Sequence, residues 1–412
     1  MSLIEGFWIK NFGPLRNVAF GTSYLQTVVV EEEDDSAPAY TCLGPVSLII
    51  GKSDVGKTSV MDAFHFLADA LTVGLEDACI KRGGFDAIQT QGATGPISIG
   101  VNFRVEGQPL PLTYAINVGA TKQYTPRIIS EALVYRSTEP GVSSNPLLLL
   151  QNEPRIVKHI ITRDGVDPLI IAKAKQTDNR HLALSILGQI PEQYPDVYSL
   201  REHLENWYLS CYTPHDALGL SPVLPQKHMY RRGDSLVHAV REMDAKLKEQ
   251  FPNFLNTVAQ KMPGIEAITA EKTESGRILL NFKSKNSPLP FSSQRISDGL
   301  LRLFSHLMLL EDPMPYPFVG VEEPENGLDQ TFLDLYIESL IRQVVQGGQT
   351  QFFITTHSPM LIDRVRPEFV WILEKIEGET RVIRASDDPI VRETIGQEQS
   401  IPENWFSGSH FF

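Results

Sequence analysis

The chain has 412 residues, with 50 acidic against 37 basic side chains and a formal net charge of −13. That length supports a large core divided over two or three lobes, and 42% apolar with 21% charged residues excludes a disulfide-stapled miniprotein, wholesale disorder and a coiled-coil rod. The acidic balance argues against a protein that coats nucleic acid over its whole surface and leaves only a local basic patch for such a ligand.

Cys42, Cys79 and Cys211 have no paired spacing, and the opening MSLIEGFWIK lacks a basic-then-apolar secretory pattern. A reducing, cytoplasmic compartment is expected. The longest apolar runs, such as Val46 to Ile50 and Leu147 to Leu150, fall far short of the roughly 20 residues that cross a bilayer. No membrane partner is expected.

In chain order, Leu3 to Phe20 alternates apolar and polar residues and breaks at Gly13-Pro14, which predicts two short strands joined by a turn. The acidic run Glu31 to Asp35 reads as a solvated loop. Val46 to Ile50 is a short apolar run of the buried-strand type. From Thr58, the positions Val60, Met61, Phe64, Leu67, Ala68 and Leu71 recur at helical spacing and predict a helix ending near Gly74. Alternating segments between about 97 and 172, including Ile97–Phe103, Leu112–Val118, Ile128–Tyr135 and Ile156–Thr162, predict antiparallel strands. Helical periodicity over Val197–Leu209 and Leu236–Met262, separated by Pro214 to Pro225, predicts an inserted helical lobe. After Ile278–Phe282 come an apolar helix, Leu300–Leu310, and buried strands at Phe318–Val321 and Phe352–Thr356. The expected division is 1–110, 111–178 (antiparallel β), 179–284 (helical insertion) and 285–412.

Three strand ends carry chemistry. Gly51-Lys52-Ser53-Asp54-Val55-Gly56-Lys57-Thr58 fits G-x-x-x-x-G-K-[ST] between a predicted strand and a predicted helix, where the pattern acquires meaning. Backbone N–H groups of such a loop curl around a phosphate, and the helix amino end adds positive potential. Lys57 supplies a point charge to the β- and γ-phosphates, and the Thr58 hydroxyl suits Mg²⁺. The strand Phe318 to Val321 ends in Glu322-Glu323-Pro324-Glu325. Alternation sends Glu322 and Glu323 to different jobs, one in the Mg²⁺ shell and one orienting or deprotonating an attacking water. By itself this acidic end also reads as a solvated turn. The strand Gln351 to Thr356 ends in His357; a lone histidine is also a common core residue, but ligands bind outside the carboxyl ends of parallel strands, where the three groups can converge. Ile296-Ser297-Asp298-Gly299 opens the apolar helix, and by spacing alone it is equally an amino-terminal cap.

The order GKSDVGKT, ISDGLLRL, VGVEEPENGLD and FITTHSPMLID resembles the ABC-type ATPases of the RecF/SMC/OLD group, specifically compact bacterial AAA-like ATPases related to OLD nucleases. The resemblance extends to Ile4–Arg16, to Lys81-Arg82-Gly83-Gly84 and to Asn404–Gly408. It implies an α/β P-loop NTPase head with a mixed sheet, an antiparallel β lobe and a helical insertion. It also implies that two heads sandwich ATP with Mg²⁺. Gly51 to Ser59 (Gly51, Lys52, Ser53, Asp54, Val55, Gly56, Lys57, Thr58 and Ser59) would hold the nucleotide, with Thr58 and Glu322 on the metal. Glu323, Lys57 and His357 would act in hydrolysis, His357 as the switch that senses the γ-phosphate. Ser297, Asp298 and Gly299 would reach the γ-phosphate across the dimer, and Asp329 lies in the D-loop, Asn326 to Asp329. Gln189 and Gln91 are the candidates for the glutamine loop. Two departures stand out: Glu322 where the wider group has Asp, and Asp54 where a small or amide residue is common. The longer carboxylate implies a water-mediated metal contact and slow turnover.

The implied role is DNA repair or defence against phage or plasmids, as a homodimer or higher oligomer controlling a separate, Toprim-like effector, with DNA as a candidate ligand. The tail after His357 has Asp387-Asp388 as its sole acidic pair, so no intrinsic nuclease activity is expected. The alternative is a nucleotide-gated protein scaffold that docks a partner around Arg231, Arg232, Lys246 and Lys248. A transporter subunit fits poorly, because far more chain separates Lys57 from Ser297 than in transporter heads. A small-molecule kinase leaves the SDG helix, the EEPE strand and the TTHS strand end unexplained.

Overall fold

The computed structural model describes residues 3–21, 42–104, 112–122, 124–135, 147–153, 156–161, 169–175, 180–210, 236–272, 278–287, 289–389 and 391. The acidic run 31–35, the proline-containing stretch 214–225, Cys211, Arg231, Arg232 and the motif at 404–408 lie outside them. Two compact units emerge, one of Met1–Trp207 with Arg366–Phe412 and one of Tyr208–Val365.

In the first unit, β1 (Leu3–Phe12) and β2 (Leu15–Gly21) form the expected hairpin, with Phe12 opposite Leu15 and Gly13 at φ +53° in the turn. β3 (Val46–Gly51), buried throughout, leads into α1 (Lys57–Thr72). Two short helices follow, α2 (Leu75–Ile80) and α3 (Phe85–Ile88). Then come β4 (Ile97–Arg104), β5 (Leu112–Ala120), β6 (Pro126–Tyr135), β7 (Leu147–Glu153), β8 (Ile156–Ile161) and β9 (Leu169–Lys175). With the hairpin they build one antiparallel sheet in the order β2-β1-β4-β5-β6-β7-β8-β9. The unit continues through α4 (Ala183–Leu187) and α5 (Pro195–Glu205) to β10 (Trp207–Ser210), at whose first residue it ends.

All six apolar positions that predicted α1 are buried. Phe7 of β1 meets Phe20 at 4.7 Å and Phe64 of α1 at 4.4 Å, and Phe64 meets Trp207 at 5.5 Å. One stacked and two edge-on ring contacts thus join the hairpin, α1 and Trp207. A second anchor is polar: the buried Glu131 carboxylate of β6 accepts from the backbone N–H of Ala183 (2.6 Å) and Leu184 (2.8 Å) and from the Tyr114 hydroxyl (2.9 Å).

The second unit begins with α6 (Leu236–Leu247), α7 (Phe251–Lys261) and the antiparallel strands β11 (Ile265–Lys272), β12 (Ile278–Ser284) and β13 (Phe291–Ser292). α8 (Asp298–Leu310), β14 (Phe318–Glu322), α9 (Gln330–Val345), β15 (Gln351–Thr355) and α10 (Pro359–Ile362) complete it. β14 and β15 pair in parallel, Glu322 opposite Thr355. The chain then returns to the first unit, where β16 (Val370–Ile376) pairs parallel to β3 and antiparallel to β17 (Glu379–Arg384).

Two helical expectations shorten. The helix expected over 197–209 stops at Glu205, and Trp207-Tyr-Leu-Ser210 turns extended because Trp207 is buried against Phe64. The helix expected over 236–262 breaks at Lys248, which has φ +49°; a single 3₁₀ turn, Lys248–Gln250, intervenes, and Pro252 sits in the first turn of α7, where its missing N–H costs nothing. The segment expected to be helical, 179–284, also contains β10, β11 and β12.

Candidate active site

In the first unit, Gly51 to Gly56 joins β3 to α1. Gly51 has φ +146°, and a Cβ there would lie 2.3 Å from the Leu373 carbonyl of β16. Gly56, at φ +103°, forms the amino cap of α1 with no side-chain cap, and a Cβ there would lie 2.8 Å from the Leu15 side chain. Both positions therefore demand glycine, for backbone conformation and for space. Asp54 adopts φ +67°, and its carbonyl accepts from the Lys375 ammonium at 3.4 Å. The Thr380 hydroxyl donates to the Val55 carbonyl at 2.8 Å, so β17 holds the loop from the other side. Lys57 is buried and folds back, donating from Nζ to the carbonyls of Gly51 (2.7 Å) and Lys52 (2.9 Å). Lys52, Ser53, Asp54 and Thr58 are exposed and Ser59 is half-buried. A backbone cradle, an uncapped helix amino end, a lysine ammonium at its rim and an outward hydroxyl suit a triphosphate with a divalent cation.

Arg82, from the KRGG stretch, is turned into the protein. Its guanidinium pairs with Asp62 at 2.9 Å and Asp69 at 3.1 Å and donates to the Ala78 carbonyl at 2.7 Å, tying α1 to α2. Burial pushes the carboxyls of Asp62 and Asp69 upward, against the lowering effect of Arg82. Burial also pushes the Cys79 thiol up to about 12, leaving it unreactive. The Gln189 side chain donates to the Ser185 carbonyl at 3.0 Å, and the Gln91 carbonyl accepts from Arg16 at 3.2 Å.

In the second unit, the buried apolar run of β14 delivers Glu322 to the strand end, and the chain turns sharply at Glu323, a non-glycine residue at φ +42°. Such conformations are costly and gather at functional positions. The turn is over-determined: the Glu323 N–H donates to the Thr355 carbonyl (2.9 Å) and reaches the Thr355 hydroxyl (3.3 Å), while the Asn326 N–H donates to the Glu323 carbonyl (3.0 Å). The Glu323 carboxylate accepts from the Asn326 amide and lies 3.5 Å from His357 Nε2. Glu325 braces the neighbouring strand end, accepting from the Thr356 hydroxyl (2.8 Å) and the His357 N–H (2.6 Å). Glu322, Glu323 and His357 are thus brought to one end of the β14–β15 pair.

Ser297 caps α8, accepting from the Leu300 N–H at 3.4 Å, and Ser297 and Asp298 are exposed. The helix tip rests on the loop after β14: a Cβ on Gly299 would lie 2.9 Å from the Gly327 carbonyl, and Arg302 donates from Nη1 to the Asn326 carbonyl. Asp329 caps α9, accepting from the Phe332 N–H at 2.9 Å. Glu325, Arg302 and Thr355 went unassigned in the sequence reading, and Asn326 was placed only in its loop. Their tight local spacing, E-x-x-N after the strand and T-T-H at the next, was the available signal.

These elements make a P-loop ATPase fold. A family profile described as "AAA domain, putative AbiEii toxin, Type IV TA system" matches residues 46–363, and the chain belongs to that family. Among solved structures, the chain is similar to an SMC head bound to the C-winged helix domain of ScpA, with 13% identity, 92% of this chain and 96% of that one covered, and a TM-score of 0.55. It also aligns with the SMC head domain from Thermotoga maritima (12% identity, 92% and 98% covered, TM-score 0.44). A third alignment is with the Smc head domain with a coiled coil and joint from Pyrococcus yayanosii (10% identity, 97% and 100% covered, TM-score 0.48). No curated protein matches the chain. Among the described residues, no helix is long and apolar enough to cross a membrane.

Proposed function

We propose that this chain binds ATP, dimerises on it and hydrolyses it slowly, using the cycle to control a separate effector in defence against phage or plasmids. The observation that carries the reading is the Glu323 carboxylate held at a strained strand end, 3.5 Å from His357 Nε2. A carboxylate fixed beside an imidazole suits a general base with a neighbouring phosphate sensor. The loop Gly51 to Thr58 holds the triphosphate through its N–H groups, and Lys57 swings from its own carbonyls to the β- and γ-phosphates. Thr58 and Glu322 are the residues that would hold Mg²⁺, whose charge would offset that of the phosphoryl oxygens. Glu323 takes the proton of the attacking water as its oxygen bonds to the γ-phosphorus; the bond to the bridging oxygen breaks, and ADP and phosphate leave. The exposed tip Ser297-Asp298-Gly299 contacts the γ-phosphate held by a second copy. The family description names a toxin and a TA system, which supports defence over DNA repair. A Toprim-like nuclease is the proposed effector.

The test is phosphate release and mass by light scattering for the purified chain and for Glu323→Gln, with ATP and Mg²⁺. The reading expects slow release by the parent, none by the variant, and an ATP-dependent dimer that accumulates only in the variant. Undiminished release by Glu323→Gln would end the mechanism. A dimer that forms on ATP and captures one protein with no dependence on hydrolysis would favour the scaffold alternative.

A further inference from the structure

The loop after β14 is connected on two sides, and the connection joins groups with separate jobs. On one side the Asn326 side-chain amide donates to the Glu323 carboxylate. On the other the Asn326 carbonyl accepts from Arg302, whose guanidinium projects from the second turn of α8. Arg302 is buried, whereas Asn326 is exposed. Gly327, at φ +79°, lies so close to this guanidinium that a Cβ there would come within 2.9 Å of Arg302 Nε. The tip of α8 is equally close, since a Cβ on Gly299 would meet the Gly327 carbonyl at 2.9 Å. Helix tip and glycine therefore meet backbone to backbone, and the Arg302 side chain packs on the same glycine while bonding the asparagine before it. Close-packed contacts of this kind transmit small shifts instead of damping them.

We propose that Arg302 and Asn326 are positioning residues that make the aim of the Glu323 carboxylate depend on where the tip of α8 sits. The inference rests on the reading of Glu323 as the general base and adds how that base is regulated. When the Ser297–Gly299 tip engages a ligand, any shift of α8 passes through Arg302 to the Asn326 carbonyl, and through the Asn326 amide to Glu323 Oε2. A single hydrogen-bond donor then decides which carboxylate oxygen is left for the attacking water. Hydrolysis is thereby withheld until α8 is engaged, which gives a slow basal rate a structural origin. Around the Glu323 carboxylate the charged or titratable neighbours are His357 at 3.5 Å, Glu322 preceding it and Glu325 in the same turn.

The experiment measures kcat and KM for ATP for the full chain and for Asn326→Ala, Asn326→Asp, Arg302→Met and the Arg302→Met/Asn326→Ala double variant, with melting curves for each. Asn326→Ala is expected to lower kcat by about tenfold to a hundredfold, with KM within about twofold, since misdirecting a catalytic group affects the reaction and not binding. Asn326→Asp keeps the side chain's size but removes the amide donor, and should lower kcat at an unchanged KM as Asn326→Ala does, whereas a merely structural asparagine would be rescued by so conservative a change. The double variant should be no slower than the slower single one, because both changes cut one connection. An unchanged kcat in Asn326→Ala, or a kcat restored to the parent's in Asn326→Asp, would overturn the proposal. If Arg302→Met fails to fold, the exposed Asn326 variants decide alone. Loss of turnover in Glu323→Gln with full turnover in Asn326→Ala would sink the coupling and leave the base standing. Full turnover in Glu323→Gln would remove both.

Discussion

Glu323 Oε1 lies 3.5 Å from His357 Nε2, across the carboxyl ends of the neighbouring parallel strands β14 and β15. Thirty-odd residues of helix and loop separate them in the chain, so only the pairing of Glu322 with Thr355 brings them together. The proposed general base and phosphate sensor would need this adjacency. His357→Ala should reduce turnover strongly while the β14–β15 pair stays intact, because Glu325 binds the His357 backbone and not its ring. Phosphate release with an unchanged melting curve would check this.

Lys57 is satisfied by the carbonyls of Gly51 and Lys52 at 2.7 and 2.9 Å. Lys57→Met is therefore expected to abolish ATP binding while costing about 2 kcal/mol of stability, the net value of the two hydrogen bonds lost. Binding of a fluorescent ATP analogue, with urea unfolding in parallel, separates the two effects.

Glu131 organises the first unit from a buried position. Glu131→Ala leaves the N–H groups of Ala183 and Leu184 and the Tyr114 hydroxyl without an acceptor, and should cost about 3 kcal/mol. Glu131→Gln keeps one acceptor oxygen and should lose less. Urea unfolding of both variants tests the order.

Arg82→Met takes from the buried Asp69 carboxylate its guanidinium partner at 3.1 Å and should destabilise the chain by about 3 kcal/mol at neutral pH. Burial already raises the Asp69 carboxyl. Removing Arg82 raises it further, so the folded variant takes up a proton more readily than its unfolded chain. Its deficit relative to the parent should consequently shrink as pH falls from neutral toward the carboxylate range. A deficit constant with pH would contradict this.

Three buried histidines set a second pH dependence. Burial lowers His65 and His203 to about 3, and His306 to about 4. Each stays neutral in the folded chain while its unfolded counterpart takes a proton below about 6.5. Stability is thus full above that value and falls as pH drops toward the folded values, by up to about 1.4 kcal/mol per pH unit for each histidine. His203 packs against Phe103 at 4.3 Å, so His203→Phe should flatten the slope between roughly pH 6.5 and 5.5, measured by urea unfolding.

Much of this was legible from residue order. The GKSDVGKT loop could be read because its two glycines meet a requirement that acts within a few residues, a positive φ; the close approach of Leu373 and Leu15 arises only on folding. The apolar stripe of α1 and the alternation of β4 and β5 were legible for the same local reason. Trp207 was misread as helical because its burial against Phe64 is a distant contact that overrides helical spacing. The Lys248 break depended on one backbone angle that composition does not encode. Arg302 and Glu325 stayed hidden because each acts through a partner brought close only by folding, the Asn326 carbonyl and the His357 N–H. Ser297 combines both readings, since it caps α8 and remains exposed.

That exposed tip is where the account is most open to attack, and a mixing experiment reaches it directly. Lys57→Ala and Ser297→Arg proteins are each expected to be inactive alone. Mixed in equal amounts they form dimers in which one nucleotide meets an intact loop from one copy and an intact Ser297 tip from the other, so phosphate release should return. Full release by Ser297→Arg alone, or no recovery in a mixture shown to exchange subunits, would contradict the shared site.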